Sequence, residues 1–118
     1  MPVTRRYVLA LDLKDNPEGI RAYRAWHEPG RTPAEIIQSI RCSGVRSLEI
    51  YLTGNRLLMC MEVDETFDPE AKASADAADP NVQNWEQLMW TFQQALPWAR
   101  PGEKWVAAER IFDLGDHS

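Results

Sequence analysis

The tripeptide Thr53-Gly54-Asn55 constrains the fold of this chain more than any other feature. On one side of it, residues 45–52 alternate apolar and polar side chains; on the other, residues 56–63 are nearly continuous apolar sequence. A glycine flanked by small polar residues is what a tight turn between two strands requires, so the three segments read as a β-hairpin whose second strand is buried. A central hairpin leaves few ways to arrange the rest of a short chain.

The flanks repeat a common grammar. Residues 5–13 are apolar and rich in β-formers, and Asp15-Asn16-Pro17 ends them as a strand. Asn16 or Asp15 caps the following helix, with Pro17 at its first position, and Ile20, Tyr23 and His27 recur at helical spacing. Pro29, Gly30 and Pro33 interrupt it. A second helix is expected from residue 34 to about 42, closed by Gly44 in the usual C-terminal glycine position. Beyond the hairpin lie an acidic connector at residues 64–68, an alanine-rich helix at 69–78, and a helix from Pro80 to about Ala95. The last of these carries Val82, Trp85, Met89 and Phe92 on one face. Pro97 and Pro101 bracket a loop, and residues 104–114 read as a closing strand.

The order strand, helices, strand, strand, helices, strand predicts an α+β chain of the ferredoxin-like plan. It places a four-stranded antiparallel sheet under helices on one face, in one domain spanning residues 1–118. The other sheet face is then left bare. Alternation puts Glu49 and Tyr51 on one side of the second strand, and Leu48, Ile50 and Leu52 on the other. In the closing strand, Trp105, Glu109 and Ile111 oppose Val106, Ala108 and Phe112. If Glu49 and Glu109 both reach the bare face, it mixes carboxylates with large apolar groups, and pairing of two copies over a semi-enclosed pocket satisfies both. A homodimer, a dimeric α/β barrel, is therefore expected.

Composition excludes several functions. With 118 residues, 26% of them charged, a net charge of −5 and a pI near 5.0, the chain has no basic stripe for nucleic-acid phosphates. Its apolar runs are too short to span a membrane. Cys42 and Cys60 show no metal spacing and read as reduced thiols, which points to a cytoplasmic protein. The acidic run of Asp64, Glu65, Asp68 and Glu70 lacks the glycine and spacing of a calcium loop, and neither a Gly-rich phosphate loop nor a Ser-His-Asp order is present.

If acid-base chemistry near neutral pH occurs in this chain, His27 is its default carrier. His27 is the one histidine outside the C-terminal tail, where His117 lies, and histidine is the side chain that ordinarily titrates near neutral pH. Tyr23 stands one helical turn before it and on the same face. A phenol and an imidazole side by side at a helix end can bind a polar ring and pass a proton. Taken alone, each residue has a plainer account: His27 as a structural helix-end residue, Tyr23 as core, and the Trp85, Met89, Phe92 stripe as core with Trp85 at its edge. Glu49 and Glu109 could pair with Arg46 or Arg110, although alternation puts those arginines on the opposite side. Trp90 and Trp98 could serve as site walls or dimer contacts.

Five motifs in sequence order resemble the L-rhamnose mutarotase family. They are the N-terminal strand, Tyr-x-x-x-His at Tyr23 and His27, the glycine-to-tyrosine hairpin strand from Gly44 to Tyr51, Asp-Pro-x-Val-Gln-x-Trp from Asp79 to Trp85, and Glu-x-x-Phe-x-Leu from Glu109 to Leu114. The resemblance implies a dimeric, ferredoxin-like sugar anomerase that needs no metal and no cofactor. His27 is then the proton donor, and Tyr23 and Trp85 contact the sugar. Glu86 replaces a second tryptophan of the rhamnose enzymes, Leu48 replaces an aromatic sugar contact, and the family's Trp-Pro-Glu after the histidine becomes the displaced Pro33-Ala34-Glu35. The segments 48–51 and 96–105 look more like the branch associated with L-fucose, so a 6-deoxy-L-hexose, L-fucose ahead of L-rhamnose, is the expected substrate.

In this reading His27 is catalytic, and Tyr23, Trp85, Glu49, Glu109 and Trp98 are substrate-binding candidates. A carboxylate, Glu49 or Glu109, or a water accepts the hydroxyl proton. Two other functions compete. One is a non-catalytic small-ligand-binding dimer in which His27 only donates a hydrogen bond. The other is a cofactor-free oxygenase, which rests on fold analogy alone.

Overall fold

The central hairpin forms where the turn tripeptide places it. β2 (Val45–Thr53) and β3 (Arg56–Val63) pair antiparallel around Gly54, which takes the turn's positive φ of 57°. The computed structural model describes residues 4–117. β1 (Arg5–Leu13) lies along the other edge of β3, in register from Arg5 opposite Val63 to Asp12 opposite Arg56. Two short strands share the far edge of β1: β4 (Gln93–Gln94) at its C-terminal end and β5 (Val106–Ala107) at its middle. The sheet order β2-β3-β1-β4, with β5 also on β1, is that of a ferredoxin-like sheet whose last position is shared by two strands.

The helices start where side chains can take up their free N–H groups. Asn16 accepts hydrogen bonds from the Glu18 and Gly19 amides at the head of α1 (Pro17–Trp26), at 3.0 and 3.2 Å. Asp68 caps α3 (Pro69–Ala78) and Asp79 caps α4 (Pro80–Trp90) in the same way, each with proline in the first turn. α2 (Ala34–Cys42) starts after Pro33 without a side-chain cap.

Strand alternation divides the sheet into two unlike faces. Leu11, Leu57, Met61 and Val63 turn toward the helices and are buried, with Ile50 and Leu52 packed beside them. Leu13, Tyr23, Leu57 and Met89 form one core cluster; Val45, Met61, Val63 and Phe67 form the other. The opposite face carries Arg6, Asp12, Glu49, Tyr51, Arg56, Leu58, Cys60 and Glu62, and no helix among the described residues covers it. Tyr51 is 53% exposed there.

Two sequence expectations are corrected. The closing strand does not run over residues 104–114: ladder pairing stops at Ala107, one further bond runs from the Ala108 amide to the Val8 carbonyl, and residues 114–116 form a short 3-10 turn. Continuing the register would set Arg110 opposite Arg6, and like charges directly opposite disfavour a ladder. Arg110 instead pairs with Asp113 at 2.7 Å. The fourth helix ends at Trp90 rather than near Ala95, because the chain turns at Thr91 and Phe92 into β4.

Candidate functional site

The C-terminal end of α1 places Tyr23 and His27 one turn apart, as their spacing requires, with ring centroids 4.4 Å apart and planes inclined by 32°. His27 is the residue that ends the helix, so its ring folds back along the last turn: Nδ1 lies 2.6 Å from the Tyr23 carbonyl oxygen. A carbonyl only accepts, so Nδ1 is the donor and carries hydrogen. Nε2 is left uncommitted, with no hydrogen bond running to it among the described residues.

Trp85 reaches the same place from α4. Its ring centroid is 5.8 Å from that of His27 and 5.9 Å from that of Trp26, edge-on to both. It sits half-buried on the core cluster, at the edge of the apolar stripe whose centre, Met89, is buried. The chain after His27 is folded back by the Thr32 hydroxyl, which donates to the Trp26 carbonyl at 2.7 Å. Between this loop and α2 lies an open cleft of about 730 Å³, lined by His27 with Glu28, Arg31, Thr32, Ile37 and Arg41 among others. Its volume is that of an ordinary small-ligand site, and its lining mixes polar and apolar groups.

Tyr23 is itself buried, at 4% exposure. Burial pushes its phenol above the ordinary tyrosine range, and a hydrogen bond from Gln93 pulls part of the way back. That bond, Gln93 Nε2 to Tyr23 Oη at 3.1 Å, joins β4 to α1 across the core. Sequence reasoning missed Gln93 by placing it inside the preceding helix. The one available signal was the polar Gln93-Gln94 pair directly after an apolar helix stripe.

The other candidates stand elsewhere. Glu49 is exposed on the bare sheet face, where it and Cys60, Arg6, Ser47 and Glu62 line a small depression of about 290 Å³. Its neighbouring carboxylate holds the Tyr51 phenol above its usual range. Glu109 lies beyond β5 and is exposed; strand parity would have sent it to the helix side with Trp105, not to the face of Glu49. Trp98 is 60% exposed and covers the Arg56 guanidinium at 5.0 Å, while Arg56 grips the buried Asp12 at 2.8 and 3.1 Å. Neither glutamate takes the arginine suggested by its neighbours: Arg46 pairs with Asp64, and Arg110 with Asp113. The protomer thus gathers His27, Tyr23 and Trp85, adds Trp26 and Gln93, and leaves Glu49, Glu109 and Trp98 apart from them. Among the described residues no cluster of three histidine, cysteine or acidic side chains could hold a metal ion, and no helix is long and apolar enough to cross a membrane.

Comparison with known proteins points to one family. An L-fucose mutarotase from Xanthomonas campestris pv. campestris is 47% identical over 112 residues, covering 95% of this chain and 90% of the relative. The crystal structure of an L-rhamnose mutarotase from Formosa agariphila superposes with a TM-score of 0.67 at 20% identity, over 92% of this chain and 97% of that one, which establishes the shared fold. The L-rhamnose mutarotase family model matches residues 6–114, nearly the whole chain. With fold, motif order and full-length similarity in agreement, the chain belongs to the L-rhamnose mutarotase family.

Proposed function

We propose that this mutarotase interconverts the α and β anomers of a 6-deoxy-L-hexose, L-fucose in preference to L-rhamnose, with His27 Nε2 as the atom that moves the proton. The observation that carries the mechanism is the bond from Nδ1 to the Tyr23 carbonyl, which commits one ring nitrogen and leaves the other for exchange at a residue lining the cleft. The preference for L-fucose is supported by the L-fucose mutarotase relative, which is far more similar than the solved L-rhamnose enzyme.

Ring opening breaks the bond between the anomeric carbon and the ring oxygen, and the electron pair stays on oxygen. His27 as imidazolium gives the Nε2 proton to that oxygen, while the anomeric hydroxyl loses its proton to solvent and becomes the aldehyde oxygen. After the aldehyde rotates, the chain hydroxyl attacks the carbonyl carbon from the other face and returns its proton to neutral Nε2, while the carbonyl oxygen takes a proton from solvent and becomes the new anomeric hydroxyl. General acid-base help of this kind contributes about 10²–10⁴-fold. Glu28, which follows His27 and lines the same cleft, is the nearest carboxylate in sequence to relay the hydroxyl proton. Trp85 offers an aromatic face to the C–H side of the sugar, and Tyr23 holds a hydroxyl.

We assign Glu49 and Trp98 to the bare sheet face, and Glu109 to the segment beyond β5, as parts of a homodimer contact rather than of the sugar site. The exposed Tyr51, Leu58, Trp98, Ile111, Phe112 and Leu114 support self-association. Two free cysteines suit a reducing, cytoplasmic setting.

The test is anomer exchange by saturation-transfer NMR with L-fucose, L-rhamnose and D-glucose, for wild type and His27→Ala. Faster exchange of L-fucose that disappears in the variant is the expected result. Sugar binding without acceleration in wild type would make the protein a ligand-binding dimer, and absence of both would remove the sugar altogether.

A further inference from the structure

We infer that Gln93 is a positioning residue for this reaction: its amide fixes the Tyr23 phenol as a hydrogen-bond donor toward the sugar held beside His27. The inference rests on the mutarotase reading above and adds to it a residue and a direction for one hydrogen bond.

The argument starts from the backbone. β4 is two residues long, and its pairing with the end of β1 sets Gln93 opposite Leu13 and Gln94 opposite Asp12. Leu13 belongs to the helix-side core, so Gln93 is turned inward while Gln94 faces out. The Lys14 amide donates to the Phe92 carbonyl at 2.9 Å beside this pair, while the Leu13 amide ties the other edge of β1 to the hairpin turn through the Asn55 carbonyl at 2.7 Å. The result is a glutamine 5% exposed, next to a cluster of Leu13, Tyr23, Leu57 and Met89. Leucine or methionine would fill that space without the desolvation cost of an amide.

The chemistry follows from the inventory of the two groups. A phenol oxygen has one hydrogen to give and lone pairs to accept with, whereas an amide nitrogen only donates. Since Gln93 Nε2 donates to Tyr23 Oη at 3.1 Å, the phenol hydrogen cannot point at that nitrogen and is directed elsewhere. The phenol ring lies 4.4 Å from the imidazole. With one lone pair of the phenol oxygen committed to Gln93, the phenol hydrogen is the group that is free to meet a sugar oxygen, through that oxygen's lone pair. That orients the ring relative to Nε2 before any proton moves.

Kinetics of L-fucose anomer exchange for Gln93→Met and Gln93→Glu, each in wild-type and Tyr23→Phe backgrounds, test the role. Gln93→Met should lower kcat/KM about five- to tenfold, mostly through KM, the size expected for one neutral hydrogen bond. In the Tyr23→Phe background it should have no further effect. The isosteric Gln93→Glu change reverses polarity, because a carboxylate accepts the phenol hydrogen; its loss should be larger at neutral pH and recover as pH falls and the carboxyl protonates. This variant also keeps the test available if Gln93→Met folds poorly. A readout independent of turnover is the Tyr23 titration followed by ¹³C-tyrosine NMR, which should move upward in Gln93→Met. Equal losses in both backgrounds, or a Gln93→Glu protein with wild-type KM, would overturn the positioning role while leaving the mutarotase reading intact. A wild-type protein that accelerates no sugar would overturn both.

Discussion

At the scale of single residues, the site depends on where one ring nitrogen is spent. Because Nδ1 of His27 is tied to the Tyr23 carbonyl, asparagine at this position mimics Nδ1 and glutamine mimics Nε2, and neither can exchange a proton at neutral pH. His27→Gln should keep L-fucose binding, read by saturation-transfer difference NMR, while losing about 10²–10⁴-fold in exchange rate. Glu49 offers the contrasting case. It stands on the other sheet face, where its carboxylate holds the Tyr51 phenol above its usual range, so its replacement acts on Tyr51 rather than on His27. Glu49→Gln should leave L-fucose exchange within about twofold and lower the Tyr51 titration toward the ordinary phenol value, the change of a removed neighbouring charge. A large loss of exchange in this variant would return Glu49 to the sugar site. Trp85→Phe keeps a ring against Trp26 and the core, so it should raise KM for L-fucose several-fold with little change in thermal midpoint.

At the scale of elements, the junction between α2 and β2 is the most demanding. Gly44 has φ of 96°, and a Cβ there would stand 2.7 Å from Thr66 Oγ1 and 2.8 Å from Asp64 Oδ1. Its carbonyl also accepts from the Asp64 amide at 2.9 Å, tying the start of β2 to the end of β3 across the open end of the hairpin. Gly44→Ala meets both an unfavourable backbone region and a crowded space, so it should cost about 1–3 kcal/mol, or several degrees in thermal midpoint. Asp64 holds the same junction: hydrogen bonds from the Thr66 hydroxyl and amide, with Arg46 nearby, hold its carboxyl below the ordinary range. A lowered folded pKa means that its contribution is fully present above about pH 4, the unfolded carboxylate value, and is lost as pH falls through the folded one. The stability difference between wild type and Asp64→Asn should accordingly be flat from pH 7 to 5 and shrink below 4. A difference that grows in acid would contradict this. Punctuation made these elements legible: Gly54 marked the hairpin turn, Asn16, Asp68 and Asp79 stood before proline, and Gly44 closed a helix. The end of α4 was not legible, because Thr91 to Ala95 contains neither glycine nor proline, and pairing with β1 rather than any local signal converts Gln93 and Gln94 to strand.

At the scale of the whole molecule, a sheet with helices on one side fixes where chemistry can occur. Tyr23 and His27 come from one helix and Trp85 from another; spacing within each helix was readable, and motif order brought the two together only by resemblance. Glu49 lies on the bare face where alternation put it, but Glu109 was harder to place, since alternation gives the parity of a strand but not its end. The tail beyond Ala108 has the composition of a strand, yet Ile111 is 89% exposed, Phe112 63% and Leu114 75%. Those side chains, with Tyr51, Leu58 and Trp98 on the bare face, leave large apolar groups exposed to water. A two-fold pairing that presses two such faces together would cover them symmetrically. Sedimentation equilibrium at tens of micromolar should then give about twice the 13.5 kDa chain mass. Leu58 is 37% exposed and makes no part of the core clusters, so Leu58→Asp should leave the protomer folded by circular dichroism while shifting the mass to that of one chain. If wild type already sediments as one chain, the bare face is not self-complementary. If Leu58→Asp remains a dimer, the two copies meet through the C-terminal segment instead, and removing residues 110–118 becomes the change that separates them.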